Sequence, residues 1–139
     1  MAFAQARLSR LLSNITLSPV VETEPQGPDG EVLGDQPLFF NAVVTGMTAL
    51  DARSMLDELQ AIEHDFGRER PYPGAARTLD LDLILLGDDV IDEPGLQVPH
   101  PRFRTRFFVL GPLAEVAADL RDPVTGLRVG ELLRQLLRD

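Results

Sequence analysis

The sequence contains no cysteine, no tryptophan and no lysine. Without cysteine it can form no disulfide, no thiolate zinc site and no cysteine nucleophile. No apolar run approaches the roughly 20 residues that a membrane-spanning helix needs. The chain also has neither a P-loop nor a GxGxxG pattern, no serine paired with a base, and its two histidines lack metal-ligand spacing. These absences argue against cysteine-dependent enzymes, P-loop nucleotide-binding proteins and serine hydrolases.

Acidic residues are absent from the first 21 positions, which carry two arginines and several serines. This composition loosely resembles a transit peptide. However, Ala4, Leu8, Leu11 and Ile15 recur at helical spacing, which indicates an ordinary amphipathic core helix. We therefore expect a soluble, cytoplasmic protein.

The length and charge favour a single domain, residues 1–139, with a small-molecule ligand. A chain of 139 residues buries roughly two-thirds of its unfolded surface, and its net charge of -9 argues against nucleic acid as a partner. Arginine's planar group suits bidentate contacts with phosphate. The cations that flank residues 78–87 are Arg68, Arg70, Arg77, Arg102, Arg104 and Arg106. This clustering predicts a polyphosphate ligand that carries a divalent metal.

The stretch RTLDLDLILLG, residues 77–87, alternates as a β-strand does and predicts an apolar strand over 78–87. Asp80 and Asp82 then lie on one face, about 6.5–7 Å apart at Cα. From there both carboxylates could reach a pair of hard cations held roughly 3.5–4 Å apart. Magnesium favours one or two carboxylates together with water and phosphate. The alternative is a strand end in solvent with two hydrated carboxylates.

The predicted elements resemble most of a ferredoxin-like βαββαβ pattern that lacks its opening strand. The fold class is therefore expected to be α+β, a ferredoxin-like sandwich with C-terminal additions and its first strand missing. The predicted elements are a helix at 2–12, strands at 15–23 and 38–47, a helix at 51–66, the strand at 78–87, an extended piece at 107–110 and helices at 112–119 and 128–138. Met55, Leu59, Ile62 and Phe66 are expected to form the buried stripe of the helix at 51–66. Residues 24–37 form a loop long enough to be functional, and residues 88–105 are loop-like with short extended pieces.

Three further features each allow a functional and an ordinary interpretation. The loop GRERPYPGAAR, residues 67–77, could bind phosphates through Arg70 and Arg77 or could be a solvated charged turn. His100 lies between two prolines and could donate to a phosphate oxygen or be an ordinary polar residue. Asn41, within FFNAVV, could bind a heterocycle or satisfy backbone groups, since buried amides need partners. Phe39 and Phe108 offer stacking surfaces.

Taken together, these motifs resemble those of the 6-hydroxymethyl-7,8-dihydropterin pyrophosphokinase family of folate biosynthesis. The resemblance rests on VETEPQG, FFNAVV, RTLDLDLILLG and VPHPRFRTRFFVLGPL, in that order, and covers essentially the whole chain. Members of that family transfer pyrophosphate from ATP to the hydroxymethyl group of the pterin and release AMP. The resemblance thus implies an ATP-dependent diphosphotransferase with two small-molecule substrates, ATP and 6-hydroxymethyl-7,8-dihydropterin. We expect no nucleic-acid partner, no membrane partner and a monomer.

The resemblance also implies roles for particular residues. Asp80 and Asp82 would bind two Mg²⁺ ions on the ATP phosphates, with Asp80 nearest the pterin hydroxyl. The catalytic group would comprise Arg70, Arg77, Asp80 and Arg106. The ATP-binding group would comprise Gln60, Glu63, Arg70, Arg77, Leu83, Leu96, His100 and Arg106. The pterin-binding group would comprise Thr23, Phe39, Asn41 and Phe108.

The sequence departs from the family pattern in two places. Many members carry a tryptophan and WGPR in the loop that reads RERPYPGAAR here, so Tyr72 or backbone would have to cover the pterin. Members also begin with an apolar strand and a GSNLGD-like turn, which this sequence lacks. We expect a misplaced start, with a damaged copy that binds ligand without turnover as the alternative. A ferredoxin-like regulatory module with merely hydrated aspartates is a third interpretation.

Overall fold

The computed structural model describes residues 2–23, 39–68 and 79–138 and has an α+β structure. The helices are α1 (Ala2–Leu8), α2 (Ala52–Arg68), α3 (Phe107–Ala117) and α4 (Val129–Arg138), with a 3₁₀ turn at Phe103–Thr105. The strands are β1 (Ser13–Leu17), β2 (Val21–Thr23), β3 (Phe39–Asn41), β4 (Val44–Met47), β5 (Ile91–Glu93) and β6 (Leu96–Val98). Within the described ranges, no helix has both the length and the apolar character to cross a membrane.

The strands of these ranges form pairs. β1 pairs with β4, β2 with β3, and β5 with β6. The β2–β3 pair is antiparallel and places Val21 opposite Asn41, and the antiparallel β5–β6 pair places Glu93 opposite Leu96. The α+β class is therefore confirmed, whereas the ferredoxin-like arrangement remains a prediction.

Each of the first two predicted strands is divided into two shorter ones. Between β1 and β2, the Ser18 N–H donates to the Val43 carbonyl at 2.9 Å, and the Val43 N–H donates to the Ser18 hydroxyl oxygen at 2.8 Å. Pro19, which follows, has no N–H for a ladder. A side-chain oxygen and a proline thus replace regular strand pairing here, which the alternation of apolar residues did not reveal.

The predicted strand at 78–87 is wrong as a β-ladder, because residues 79–90 belong to no helix or strand in the described structure. Two backbone groups in this stretch bond elsewhere. The Leu81 N–H donates to the Glu63 carboxylate at 2.7 Å, and the Ile84 carbonyl accepts the His100 N–H at 2.8 Å. A strand pattern predicts a side-chain alternation, but a ladder also requires a partner strand. The alternation itself is present, since Asp80 and Asp82 are exposed and the neighbouring leucines are half-buried.

The predicted extended piece at 107–110 is also wrong, because these residues begin α3. The Arg106 carbonyl accepts the N–H groups of Val109 and Leu110, at 3.0 and 2.9 Å. Aromatic and β-branched residues favour strands only weakly, and packing overrides that preference. Leu110 is fully buried and α3 packs against α4, whose Val129 is also fully buried. The predicted helix at 128–138 is confirmed as α4.

The described residues form two compact units. The first comprises 2–15, 46–68, 79–101 and 122–125, and the second comprises 16–23, 39–45, 102–121 and 126–138. The prediction of a single domain stays untested, since both units draw on several stretches of chain.

In the first unit, helix α2 confirms the predicted helix at 51–66 and buries Met55, Leu59 and Ile62, three of its predicted core residues. Helix α1 is shorter than predicted and ends at Leu8, which is buried. A second apolar cluster consists of Ala52, Leu96 and Val98, against which Leu83 and Leu86 pack. This cluster supports the site described next.

Candidate active site

A cleft of about 580 Å³ lies within the first unit. It brings together Asp82, Leu83, Leu96 and His100, which the sequence resemblance assigns to metal and ATP binding. Its other lining residues are Leu56, Leu81, Asp92, Glu93, Pro94, Gly95, Gln97 and Pro101. The cleft therefore combines an apolar surface with carboxylates and one imidazole.

The apolar part of the lining is continuous with a buried core. Leu96 is 4% exposed and packs with Ala52 and Val98, while Leu56 and Leu83 pack against the same cluster. Flat apolar surfaces of this kind suit the body of a ligand, and a few polar groups then fix its orientation.

The β5–β6 hairpin forms one wall of the cleft. The sequence predicts short extended pieces within residues 88–105, but not that they pair. The strands of the hairpin are joined by Pro94 and Gly95, and Gly95 has a φ of +77°. Proline followed by a glycine with positive φ is the signature of a type II turn. The stretch VIDEPGLQV carried that signal, since a Pro-Gly pair lies between two short alternating runs.

Side-chain contacts fix two acidic residues of this hairpin. The Gln97 amide donates to the Asp92 carboxylate at 3.1 Å. The Arg53 guanidinium, on α2, donates to the Glu93 carboxylate at 3.0 Å. Exposed pairs of this kind contribute little to stability, so their role here is to orient the hairpin side chains.

The charge of the lining bears on which ligands can bind. Among the described lining residues, Asp82, Asp92 and Glu93 contribute three carboxylates, and His100 contributes an imidazole. A triphosphate would be repelled by such a lining unless divalent cations lay between the two. The acidic cleft is thus suited to a metal–nucleotide complex and poorly suited to a free polyanion.

The residues predicted to bind magnesium fit that ion. Asp80 and Asp82 are exposed and have no ion pair or hydrogen bond with other described residues. No group of three or more metal-ligating side chains occurs in the described ranges. Magnesium suits such a site, because it commonly takes one or two carboxylates and completes its shell with water and phosphate oxygens.

Two residues predicted to line the nucleotide side lie on α2 and not in the lining of this cleft. Gln60 is exposed, and the half-buried Glu63 accepts the backbone N–H of Leu81 at 2.7 Å. The Glu63 contact could not be inferred from the spacing of the two residues alone.

In the second unit, two residues predicted to bind the pterin are hydrogen-bonded to each other. The Asn41 amide donates to the Thr23 hydroxyl at 3.0 Å and, at 3.4 Å, to the Val21 carbonyl. The antiparallel register of β2 and β3 causes this contact, since it places Val21 opposite Asn41. Phe39 lies on the same strand pair, opposite Thr23.

Two further predicted residues are neighbours at the start of α3. The Arg106 guanidinium lies 5.7 Å from the centre of the Phe108 ring, and both side chains are half-buried. This distance is within the range of a cation–π contact. The remaining predicted residues, Arg70 and Arg77, lie outside the described residues.

Asp65 and Asp51, two described carboxyl groups of the first unit that do not line the cleft, have a lowered pKa. The Arg7 guanidinium, 2.7 Å from Asp65, lowers the pKa of that carboxyl below its ordinary value. Hydrogen bonding from the Ser54 backbone lowers the pKa of Asp51, which caps α2. Both groups therefore stabilise elements around the cleft.

Comparisons with known proteins show which family the chain resembles. A family model described as 7,8-dihydro-6-hydroxymethylpterin-pyrophosphokinase (HPPK) matches residues 1–118. A 2-amino-4-hydroxy-6-hydroxymethyldihydropteridine pyrophosphokinase from Pseudomonas aeruginosa is 44% identical over 119 residues, which are 86% of this chain and 70% of the relative. The Haemophilus influenzae protein of the same name is 40% identical over 87% of this chain and 72% of the relative. The Synechocystis protein of the same name is 44% identical over 73% of this chain. The chain spans about half, 52%, of the Synechocystis protein.

Proposed function

This chain belongs to the 7,8-dihydro-6-hydroxymethylpterin-pyrophosphokinase family, and we propose from that premise that it transfers pyrophosphate from ATP to 6-hydroxymethyl-7,8-dihydropterin. AMP is the second product, and the reaction serves folate biosynthesis. The observation that carries this proposal is the cleft that gathers Asp82, Leu83, Leu96 and His100. These residues lie within the matched range and combine a metal ligand, apolar contacts and a phosphate donor.

In this proposal, the first unit binds the magnesium complex of ATP. Asp80 and Asp82 bind two Mg²⁺ ions, and His100 donates to a phosphate oxygen. Leu83 and Leu96 contact the adenine or the ribose. When bound, the metal ions neutralise phosphate charge and make the β-phosphorus easier to attack. This role explains why the acidic lining accepts a triphosphate.

Five other residues supply the pterin contacts and one phosphate contact in this proposal. Asn41 and Thr23, already bonded to each other, offer amide and hydroxyl groups to the polar edge of the heterocycle. Phe108, together with Phe39, provides ring surfaces for stacking. Arg106 lies against Phe108 and binds the transferred group, so one short segment serves the pterin and the phosphate.

The chemical step is an in-line displacement at the β-phosphorus. The oxygen of the pterin hydroxymethyl group forms a bond to this phosphorus, and the bond from the phosphorus to the bridging oxygen of the α-phosphate breaks. AMP leaves with that electron pair, and the hydroxyl proton passes to solvent. Asp80, Arg70, Arg77 and Arg106 position these groups and offset the developing charge, which is the main contribution of proteins to phosphoryl transfer. A monomer in the cytoplasm remains part of the proposal.

Incubation with ATP, Mg²⁺ and the reduced pterin tests the activity directly. We expect AMP and the pterin pyrophosphate in equal amounts, measured by liquid chromatography. Formation of ADP would contradict pyrophosphate transfer and indicate an ordinary kinase. Binding of both ligands without AMP would instead favour a non-catalytic pterin- and nucleotide-binding domain.

Substitution of the aspartate pair tests the assigned metal ligands. Asp80→Asn and Asp82→Asn should each lower kcat by a factor on the order of 100 or more, because electrostatic stabilisation of the transferred group is lost. Both side chains are exposed, so the circular dichroism spectrum should not change. Asp88→Asn is a matched control, since Asp88 is exposed in the same segment and is not one of the two proposed metal ligands. Activity that survives either substitution at the pair would refute this metal site.

A further inference from the structure

We propose that Glu63 is a positioning residue, which fixes the aspartate pair through the backbone of Leu81. This inference rests on the proposed function, because it concerns the metal ligands Asp80 and Asp82. It differs from the ATP contact that the sequence resemblance implies for Glu63. The carboxylate acts on the peptide between the two aspartates and need not touch the nucleotide.

The geometry of this contact is direct. Oε2 of Glu63 accepts the Leu81 N–H at 2.7 Å, a short distance typical of a hydrogen bond to an ionised acceptor. Leu81 lies between Asp80 and Asp82, and its N–H belongs to the peptide bond that joins it to Asp80. A fixed Leu81 amide therefore restricts where both neighbouring carboxylates point.

The aspartate segment has few other backbone anchors. It forms no β-ladder in the described structure, and ladder bonds are what ordinarily place strand side chains. The His100 N–H bonds the Ile84 carbonyl at 2.8 Å, two residues beyond Asp82. Leu83 and Leu86 pack against the core, also beyond the pair. At Leu81 itself, the described anchor is the Glu63 carboxylate.

Glu63 is a suitable anchor because its own helix is firmly packed. Its neighbour Ile62 is 1% exposed, and Leu59 and Met55 are buried on the same helix. The Glu63 side chain is half-buried and emerges from α2 beside this stripe. The position of α2 is thereby transmitted to the metal ligands, in the way that outer partners orient the direct ligands of a metal.

Three variants separate this role from a charge effect. Glu63→Ala removes the acceptor, whereas Glu63→Gln removes the charge and keeps an oxygen that can accept the Leu81 N–H. Glu58→Ala is the matched control, because Glu58 is an exposed glutamate on the same helix. We expect the Mg²⁺ concentration for half-maximal activity to rise by a factor of about 10 to 100 in Glu63→Ala. Glu63→Gln should raise this Mg²⁺ concentration far less than Glu63→Ala does, because it keeps the acceptor for the Leu81 N–H, and Glu58→Ala should leave it at the wild-type value.

A second measurement needs neither metal nor substrate. Amide hydrogen exchange at Leu81, followed by nuclear magnetic resonance, reports whether its N–H is protected. We expect fast exchange in Glu63→Ala and slow exchange in Glu63→Gln and in the wild type. Calorimetry of Mg²⁺ with a non-hydrolysable ATP analogue should show the same order of affinities as the kinetic experiment.

The outcomes distinguish this inference from the proposed function. If Glu63→Gln is as impaired as Glu63→Ala, the charge acts directly and the positioning role is refuted. Unchanged exchange at Leu81 in Glu63→Ala refutes it as well. If substitution of Asp80 or Asp82 leaves the Mg²⁺ dependence unchanged in an active enzyme, the metal site itself is wrong.

Discussion

Single carboxylates in this chain have two contrasting environments, and the contrast predicts how each responds to change. Asp80 and Asp82 are exposed and have no partner among the described residues, which fits the metal-binding role proposed for them. Asp65 instead contacts Arg7 at 2.7 Å and Arg68 at 3.4 Å. Asp80 and Asp82 are suited to binding a cation, whereas Asp65 is suited to stabilising the fold.

Asp65 should make the stability of the protein depend on pH in the acidic range. Because Arg7 lowers the pKa of Asp65 in the folded state, folding favours the ionised carboxylate. Its contribution is complete above the unfolded pKa, near pH 4, and is lost as the pH falls through the lowered folded value. Urea unfolding of Asp65→Asn should therefore show a lower free energy of unfolding than wild type at pH 7, and a smaller difference at pH 3.

Asp57→Asn provides the control for this experiment, since Asp57 is an exposed residue on the same helix. It should follow the wild type at both pH values. A deficit of Asp65→Asn that stays the same size at pH 3 would exclude the Arg7 contact as its cause.

Part of this residue-scale picture could be predicted from the sequence. The alternation in RTLDLD places Asp80 and Asp82 on one face, and the structure shows both exposed. The contact of Glu63 with Leu81 could not be predicted, because it depends on how α2 lies against a segment 18 positions away. The spacing of residues in the sequence shows which side chains lie on one face of a helix or strand. It does not show which backbone group of another segment such a side chain contacts.

At the scale of elements, the turn of the β5–β6 hairpin should depend on Gly95. A Cβ at this position would meet no atom within 4 Å, so the cost of Gly95→Ala comes from its φ of +77° alone. We expect this substitution to lower the free energy of unfolding by about 1–2 kcal/mol. Urea titration measures that loss, and weaker binding of Mg²⁺-ATP should accompany it because the hairpin lines the cleft.

Gly67→Ala is a control with the opposite expected sign. Gly67 lies inside α2 with open space around it, and alanine favours a helix over glycine by about 0.5–1 kcal/mol. Gly95→Asn should recover part of the lost stability, because asparagine tolerates positive φ better than alanine. If Gly95→Ala is as stable as wild type, the turn does not constrain the hairpin.

Helices could be predicted better than strands in this chain, for a physical reason. The stripes of α2 and the bounds of α4 depend on local spacing, and both are confirmed. Strands depend on partners, so the segment 78–87 shows a strand pattern and has no ladder, and FFVL at 107–110 is helical. The β5–β6 hairpin could have been found from its Pro-Gly turn.

At the scale of the whole molecule, the acidic balance should make ATP binding strictly dependent on metal. The chain has a net charge of -9, and three carboxylates line the cleft. We expect Mg²⁺-ATP to raise the midpoint of thermal unfolding by several degrees, because a ligand at 100 times its Kd adds about 2.7 kcal/mol. Scanning calorimetry measures this shift, and EDTA should abolish it.

Variants of single aspartates link this thermal shift to the cleft. Asp82→Asn should reduce the shift strongly, while Asp88→Asn should retain it. An equal shift with ATP in EDTA would show that the nucleotide binds without the cation, contrary to the proposed metal site.

The family and the α+β class could be predicted from the sequence at this scale, since the ordered motifs from VETEPQG to VLGPL span most of the matched residues 1–118. The ferredoxin-like arrangement of the strands stays a prediction, because the described ladders form three separate pairs. Motifs report which side chains a reaction needs, whereas sheet order depends on long-range pairing that no local pattern encodes.

The mixed lining of the cleft has a consequence for inhibitor design. A competitive inhibitor would gain potency from a flat hydrophobic scaffold against Leu56, Leu83 and Leu96, and a basic substituent could pair with Asp92 beside Gln97. Such a compound would need no phosphate mimic, because the acidic rim attracts cations.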